Sequence, residues 1–234
     1  QINFLKKLET ILEKRKFTKQ NQSVVKKILT DVKNQGDKAV IRFEKKFSKI
    51  KTKSKKIKFS NDEINKISKK IDKKLKNSID IAFKRIKQFH SKQKIKSFKY
   101  HDKFKNELSY NYSPIQNVGV YVPGGTASYP STVLMNCIPA LVAGVKNIYL
   151  TTPALGSDVN PAIIYAAKKC GVKEIYKTGG AHSIAALTYG TQTFKKVDKI
   201  IGPGNAFVAL AKKEVFGEVG IDMVAGPSEV SIVA

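Results

Sequence analysis

The sequence predicts an α/β protein. A Lys-rich helical N-terminal region over residues 1–113 is followed, over 114–234, by a parallel sheet with helices on both faces. Three observations carry this. Near Val118 the hydrophobic period changes from helical steps of three and four to short β-branched runs. Beyond it, strand-like runs alternate with apolar stretches of helical length, the pattern of parallel strands joined by crossover helices. The charge changes at the same place: residues 1–113 hold 34 Lys and Arg against 11 Asp and Glu, and residues 114–234 hold 10 against 7.

In order, Phe4–Ile11 is a short amphipathic segment suited to packing on a neighbour. Ser23 opens a helix with Val24, Val25, Ile28, Leu29 and Val32 on one stripe, and Gly36 is its stop. Asp37 caps a second helix carrying Ala39, Val40, Phe43 and Phe47. A charged connector, Lys49–Lys58, shows no period. Ser60 and Glu63 form a capping box, with Phe59 and Ile64 placed as a hydrophobic staple. One long helix then follows, because Ile64, Ile67, Ile71, Leu75, Ile79, Ala82, Ile86 and Phe89 recur at helical spacing. Glu107–Tyr112 alternates weakly, as a strand before Pro114.

In the second half, V-G-V-Y-V-P-G-G (118–125) is a strand running into a turn without side-chain bulk, where a ligand can approach the backbone. Strands are predicted at Val118–Val122, Asn147–Thr151, Glu174–Lys177, Lys199–Ile201 and Val230–Val233. Helices are predicted at Ser131–Ala143, Pro161–Cys170, His182–Tyr189 and Ala206–Phe216. Ligands of such sheets bind beyond the carboxyl ends of the strands. The loops there are P-G-G (123–125), T-T-P (151–153), T-G-G-A-H (178–182), G-P-G-N (202–205) and A-G-P-S-E (225–229). They are Gly-rich, open helices and carry few charges, so they offer backbone N–H groups and the positive ends of helix dipoles to a phosphate. The usual nucleotide fingerprints are missing: there is no G-x-G-x-x-G after the first strand, no P-loop, and no acid after Thr151 to hold a ribose.

Composition narrows the function classes. No apolar run approaches the roughly 20 residues of a membrane span, and the Lys-rich start has no signal-peptide core. Cys137 and Cys170 stand apart in apolar surroundings, as buried free thiols would in a reducing compartment; the cytoplasm is the expected location. A net charge of +26 could draw nucleic acid through phosphate contacts. Against this, the lysines are spread over every exposed helix position, the aromatic residues fall at core spacing, and only Arg15, Arg42 and Arg85 could make bidentate contacts. No nucleic-acid partner is expected.

Five ordered motifs resemble one family: V-G-V-Y-V-P-G-G, S-T-V-L-M-N-C-I-P-A-L-V-A-G-V, G-G-A-H-S-I-A-A-L-T-Y-G-T, V-D-K-I-I-G-P-G-N-A-F-V and I-D-M-V-A-G-P-S-E-V are similar to those of histidinol dehydrogenases. In the N-terminal half, I-L-T-D-V-K-N-Q-G-D-K-A-V, the F-S-N-D-E-I cap and I-K-Q-F-H-S-K-Q agree, so the likeness covers nearly the whole chain. It implies a Rossmann-like nucleotide-binding domain over 114–234 and an incomplete first Rossmann-like domain over 1–113. It also implies zinc, two molecules of NAD, L-histidinol oxidised through histidinaldehyde to L-histidine in histidine biosynthesis, and a homodimer with sites drawn from both subunits.

Residue by residue, the resemblance places Tyr121, His182 and Asn205 at NAD-contacting positions and Ser228 at a substrate-contacting one. Each also has an ordinary structural reading, Tyr121 as core, Asn205 as an N-cap and Ser228 as a turn residue. His182 departs from the pattern, since many members carry Gln there; imidazole can still donate one hydrogen bond. The family's glutamate–histidine pair and its zinc ligands lie downstream of G-P-S-E. The residues to Ala234 are therefore expected to be a portion inactive on its own. The alternatives are an inactive nucleotide-binding or assembly module, which zinc and turnover assays separate, and a basic nucleic-acid-binding protein. If the lysines form only a solvated face, nucleic-acid binding should be weak, sequence-independent and lost as salt rises. Sequence-selective binding that survives physiological salt would overturn that reading.

Overall fold

The computed structural model describes residues 4, 6–8, 19–47, 57–124, 129–154 and 159–224, without the side chains of 19 and 20. The lead-in is helical. Helix α1 (Lys19–Gln35) begins earlier than Ser23 and buries Val25, Ile28, Leu29 and Val32; Gly36, at φ +55°, ends it by donating its N–H to Val32 O at 2.9 Å. In α2 (Asp37–Phe47), Asp37 is the first helical residue rather than the cap. Its carboxylate accepts from the Thr191 and Thr193 hydroxyls, pinning a distant loop. Ala39, Val40 and Phe43 are buried as predicted, but Phe47 is exposed.

The long helix predicted from Ile64 to Phe89 is in fact two, α3 (Asn61–Ser68) and α4 (Lys73–Ser91). The Ser60–Glu63 capping box is present, with Glu63 N donating to Ser60 Oγ at 3.1 Å and Ser60 N to Glu63 Oε2 at 2.8 Å. Asp72 makes the break. Its Oδ1 accepts from Lys74 N and Leu75 N, offering the backbone a cap in place of a continued helix. A hairpin follows, β1 (Phe98–His101) antiparallel to β2 (Glu107–Tyr110), with every strand residue exposed. The weak alternation marked β2; its partner β1 was not predicted.

The chain then alternates through β3 (Asn117–Tyr121), α5 (Pro130–Val142), β4 (Asn147–Thr151), α6 (Pro161–Lys169), β5 (Glu174–Tyr176), α7 (Gly180–Tyr189), β6 (Lys199–Ile201), α8 (Ala206–Glu214) and a short β7 (Gly220–Ile221). These match the predicted elements to within one or two residues at most ends, with β7 added. Val230–Val233 lies outside the described residues. The five strands pair in parallel in the order β5-β4-β3-β6-β7. The order reverses between β3 and β6, which makes the crevice beyond their carboxyl ends the topological switch point of a doubly wound sheet.

Alternation along the strands sends side chains into two cores. Val118, Val120, Val122, Ile148, Leu150 and Ile175 pack with α5 and α6; Tyr121, Tyr149, Tyr176 and Ile200 pack with α7 and α8. The N-terminal helices form an outer layer over both faces, α3 and α4 against α6 and α5, α1 and α2 against α7. Ile57–Phe59 runs along the edge of β5, where Phe59 N donates to Ile175 O at 3.0 Å and covers the open strand. Cys137 and Cys170 are buried free thiols; a hydrogen bond between them, with burial, pushes the Cys137 thiol well up. Among the described residues no helix is long and apolar enough to cross a membrane.

Two predictions follow from the helix contacts. Ser60→Ala, which removes the α3 cap, should lower stability by about 1 kcal/mol in denaturant unfolding. Asp80 joins α4 to α6, accepting from Tyr165 Oη at 2.7 Å and pairing with Lys169 at 2.6 Å. Its bonds to Lys169 and Tyr165 hold the Asp80 carboxyl below its usual value, while burial and this bond push Tyr165 up to about 12. A lowered carboxyl stabilises the fold above its unfolded pKa, about 3.9, and that stabilisation is lost as pH falls through the folded value. Unfolding measured across that range should be less pH-dependent in Asp80→Asn than in the native chain.

Candidate functional site

Three strand ends and one helix of the lead-in meet at the turn Thr178–His182. Its local form follows from T-G-G-A-H: β5 stops, and α7 starts at Gly180 without a side-chain cap. Pro153, just beyond β4, fills the space that the neighbouring turns leave. A Cβ on Gly179 would lie 2.2 Å from Pro153 Cγ, and one on Gly124 2.7 Å from Pro153 O. These two glycines are therefore needed for turn-against-turn packing, whereas V-P-G-G had been read as room for a ligand.

Polar groups lock the same turn from beneath. Thr151 Oγ1 donates to Thr178 O at 2.6 Å, and Gly180 N–H donates to the Tyr121 hydroxyl at 3.3 Å. Glu44 of α2, only 1% exposed, accepts from the Thr178 hydroxyl and, at 2.7 Å, from His182 Nε2. A carboxylate can only accept, so Nε2 is the donor of this pair, and Nδ1 has no hydrogen-bond partner among the described residues. The His182 ring stands 6.1 Å from both Phe43 and Phe47. Burial raises the Tyr121 phenol above its usual range; the Gly180 N–H opposes that shift and the Glu44 charge adds to it.

The second part of the edge is the G-P-G-N turn after β6. Gly202 adopts φ +109°, and a Cβ there would lie 2.1 Å from Tyr121 O, so only glycine lets β6 close against the end of β3. Asp222 holds this turn by accepting from Gly202 N at 2.8 Å and from the buried Lys212 ammonium, which also donates to Gly202 O at 3.0 Å. Gly202, Pro203, Gly204, Lys212 and Asp222 are among the walls of a cavity of about 150 Å³. Asn205 caps α8, its Oδ1 accepting from Val208 N at 3.1 Å, and the residue is exposed.

Tyr121 and His182 are thus brought to one turn, but as buried side chains, 3% and 2% exposed. Asn205 lies on the neighbouring turn of the switch point. Ser228 lies outside the described residues. Glu44, Thr178, Lys212 and Asp222 were not singled out in the sequence. A signal for Glu44 existed, because it follows Val40 by four residues and so occupies an apolar-stripe position of α2. Among the described residues no group of three or more His, Cys, Asp or Glu side chains could hold a metal. They do not fit a zinc site.

A profile of the histidinol dehydrogenase family matches residues 12–234. The histidinol dehydrogenase of Pelagibacter ubique (strain HTCC1062) is 55% identical over 233 residues, which are 99% of this chain and 54% of that protein. That of Bacillus subtilis (strain 168) is 47% identical over 219 residues, covering 93% of this chain and 51% of the relative. The crystal structure of histidinol dehydrogenase from Elizabethkingia anophelis matches with a TM-score of 0.86 at 41% identity, over 91% of this chain and 49% of that one. This chain spans about half the length of the curated relatives it matches. With the five motifs in order and a strand order that reverses between β3 and β6, the chain belongs to the histidinol dehydrogenase family.

Proposed function

We propose that this chain is part of an NAD-dependent histidinol dehydrogenase, which oxidises L-histidinol through histidinaldehyde to L-histidine, and that residues 114–234 are its nucleotide-binding domain. The observation that carries the cofactor reading is the switch point between β3 and β6, with Tyr121 at the end of β3 and Asn205 opening the helix after β6; the turn that carries His182 reaches it through the bond of Gly180 to Tyr121. Residues there fit a phosphate-bearing group. The first turn of α8 opens on exposed Pro203, Asn205 and Ala206 beside the 150 Å³ cavity, with the positive end of the helix dipole behind it.

Bound there, NAD would supply the hydride acceptor for each of the two oxidations. The chain's own part is to bind and orient. Asn205 has its Oδ1 committed to the α8 cap, which leaves its amide N–H groups for a ribose or phosphate oxygen. Tyr121 fixes the backbone at Gly180, and His182 stands on the same turn. Ser228 is proposed to bond the polar end of the substrate. The zinc and the acid–base pair that the family resemblance implies would come from residues outside those described. A homodimer in the cytoplasm is the proposed working form.

Titration calorimetry with NAD tests the reading. Asn205→Ala and Tyr121→Phe should each weaken binding about tenfold, the worth of one good hydrogen bond. Phe is chosen because Tyr121 is core and Ala would leave a void. Unaltered affinity in both variants refutes the assignment. The 234-residue chain should retain no stoichiometric zinc after dialysis and form no NADH from histidinol; doing both would place the chemistry within these residues.

A further inference from the structure

The buried side chains at the cofactor edge raise a question about His182. A group that touches a ligand directly needs an accessible polar atom, yet the His182 side chain is 3% exposed and its Nε2 is committed to Glu44. A buried carboxylate is costly unless paired and hydrogen-bonded. Glu44 meets that condition through two donors, Thr178 Oγ1 and His182 Nε2, which stand four residues apart on either side of Gly179–Gly180–Ala181. It therefore grips both ends of the turn from one oxygen, Oε2. The grip sits beside the first turn of α7, where the helix dipole favours a negative charge. The middle of the same turn meets the sheet at Gly180, whose N–H donates to Tyr121. Glu44 comes from α2, so the grip ties the helical lead-in to this turn.

We propose that Glu44 is a positioning residue, which holds the Thr178–His182 turn through Thr178 and His182, and that His182 serves the edge as a buried strut of this grip. The effect on cofactor rests on the NAD reading above; the grip itself does not.

The test uses the 234-residue chain. Glu44→Met keeps volume but removes both acceptors, and Glu44→Gln keeps one acceptor oxygen. Glu44→Met should weaken NAD about tenfold and speed amide exchange at Gly180–His182, with Glu44→Gln recovering most of both. His182→Leu should weaken NAD when residue 44 is Glu and add nothing when it is Met, because the strut then has nothing to hold. If the imidazole touches NAD directly, His182→Leu costs the same in both backgrounds, and the proposal falls. It falls equally if Glu44→Met changes neither NAD affinity nor exchange. Thr178→Val, which removes one donor at constant volume, is the milder arm should Glu44→Met not fold; it should speed the same amides, and unchanged exchange there counts against the grip. If the native chain binds no NAD, the cofactor reading fails on its own, and amide exchange in the variants decides the grip separately.

Discussion

A carboxylate taken out of water has to be answered by donors wherever the chain leaves it, and Glu44 is answered by the turn that the candidate site is built on. That single requirement ties together elements far apart in sequence. It joins α2 to the start of α7 and to Thr178 at the exit of β5, a turn that Gly180 ties in turn to Tyr121 at the end of β3. Asp37 makes a second bond of the same kind at the opposite end of α7, holding Thr191 and Thr193. Both acids sit on the one face of α2 that looks into the core. The lead-in is thus more than a cover for the sheet.

The parallel half was legible almost residue by residue. Its strands are short β-branched runs between glycine and proline, and buried strands admit few other readings. Asn147–Thr151 and Lys199–Ile201 have the predicted bounds. Where sequence and structure differ, the cause is local bonding that hydrophobic period cannot register. The stripe from Ile64 to Ile86 stays in phase across Lys69–Asp72 because both helices face one core, so only the competing bonds of Asp72 reveal the break. In β1, Phe98 and Tyr100 alternate with Lys99 and His101, but the run is only four residues long, fully exposed and set among lysines, too short to stand out as a strand.

The site was legible in a different way. The motifs located the edge, but they could not say which polar atoms are already spent. Lys212 and Asp222 look like ordinary charges in an A-K-K-E run and an I-D-M tripeptide, yet their pairing braces Gly202 from both its N–H and its carbonyl. For Asn205 the structure bears out the ordinary reading, an N-cap, and the cap spends only its Oδ1. A few of the surface lysines pair with acids, as Lys58 does with Glu174 and Lys99 with Glu107, and such exposed pairs contribute little to stability.

Among the described residues the edge divides into two unlike parts. On one side, Pro153 is packed between Gly124 and Gly179, and Thr151 and Glu44 both bond Thr178 below, so the glycines there have been consumed in holding turns together. On the other side, Gly202 is consumed in meeting Tyr121 O, while Pro203, Asn205 and Ala206 remain open to solvent. A ligand entering the switch point would find backbone and amide groups free mainly on the β6 side and a rigid wall on the β5 side. A rigid wall still contributes to binding, because a turn that cannot relax costs no ordering entropy when the ligand arrives. The buried residues of the edge and its exposed ones are then two parts of one arrangement: the first fix its shape, and the second leave polar groups open to solvent.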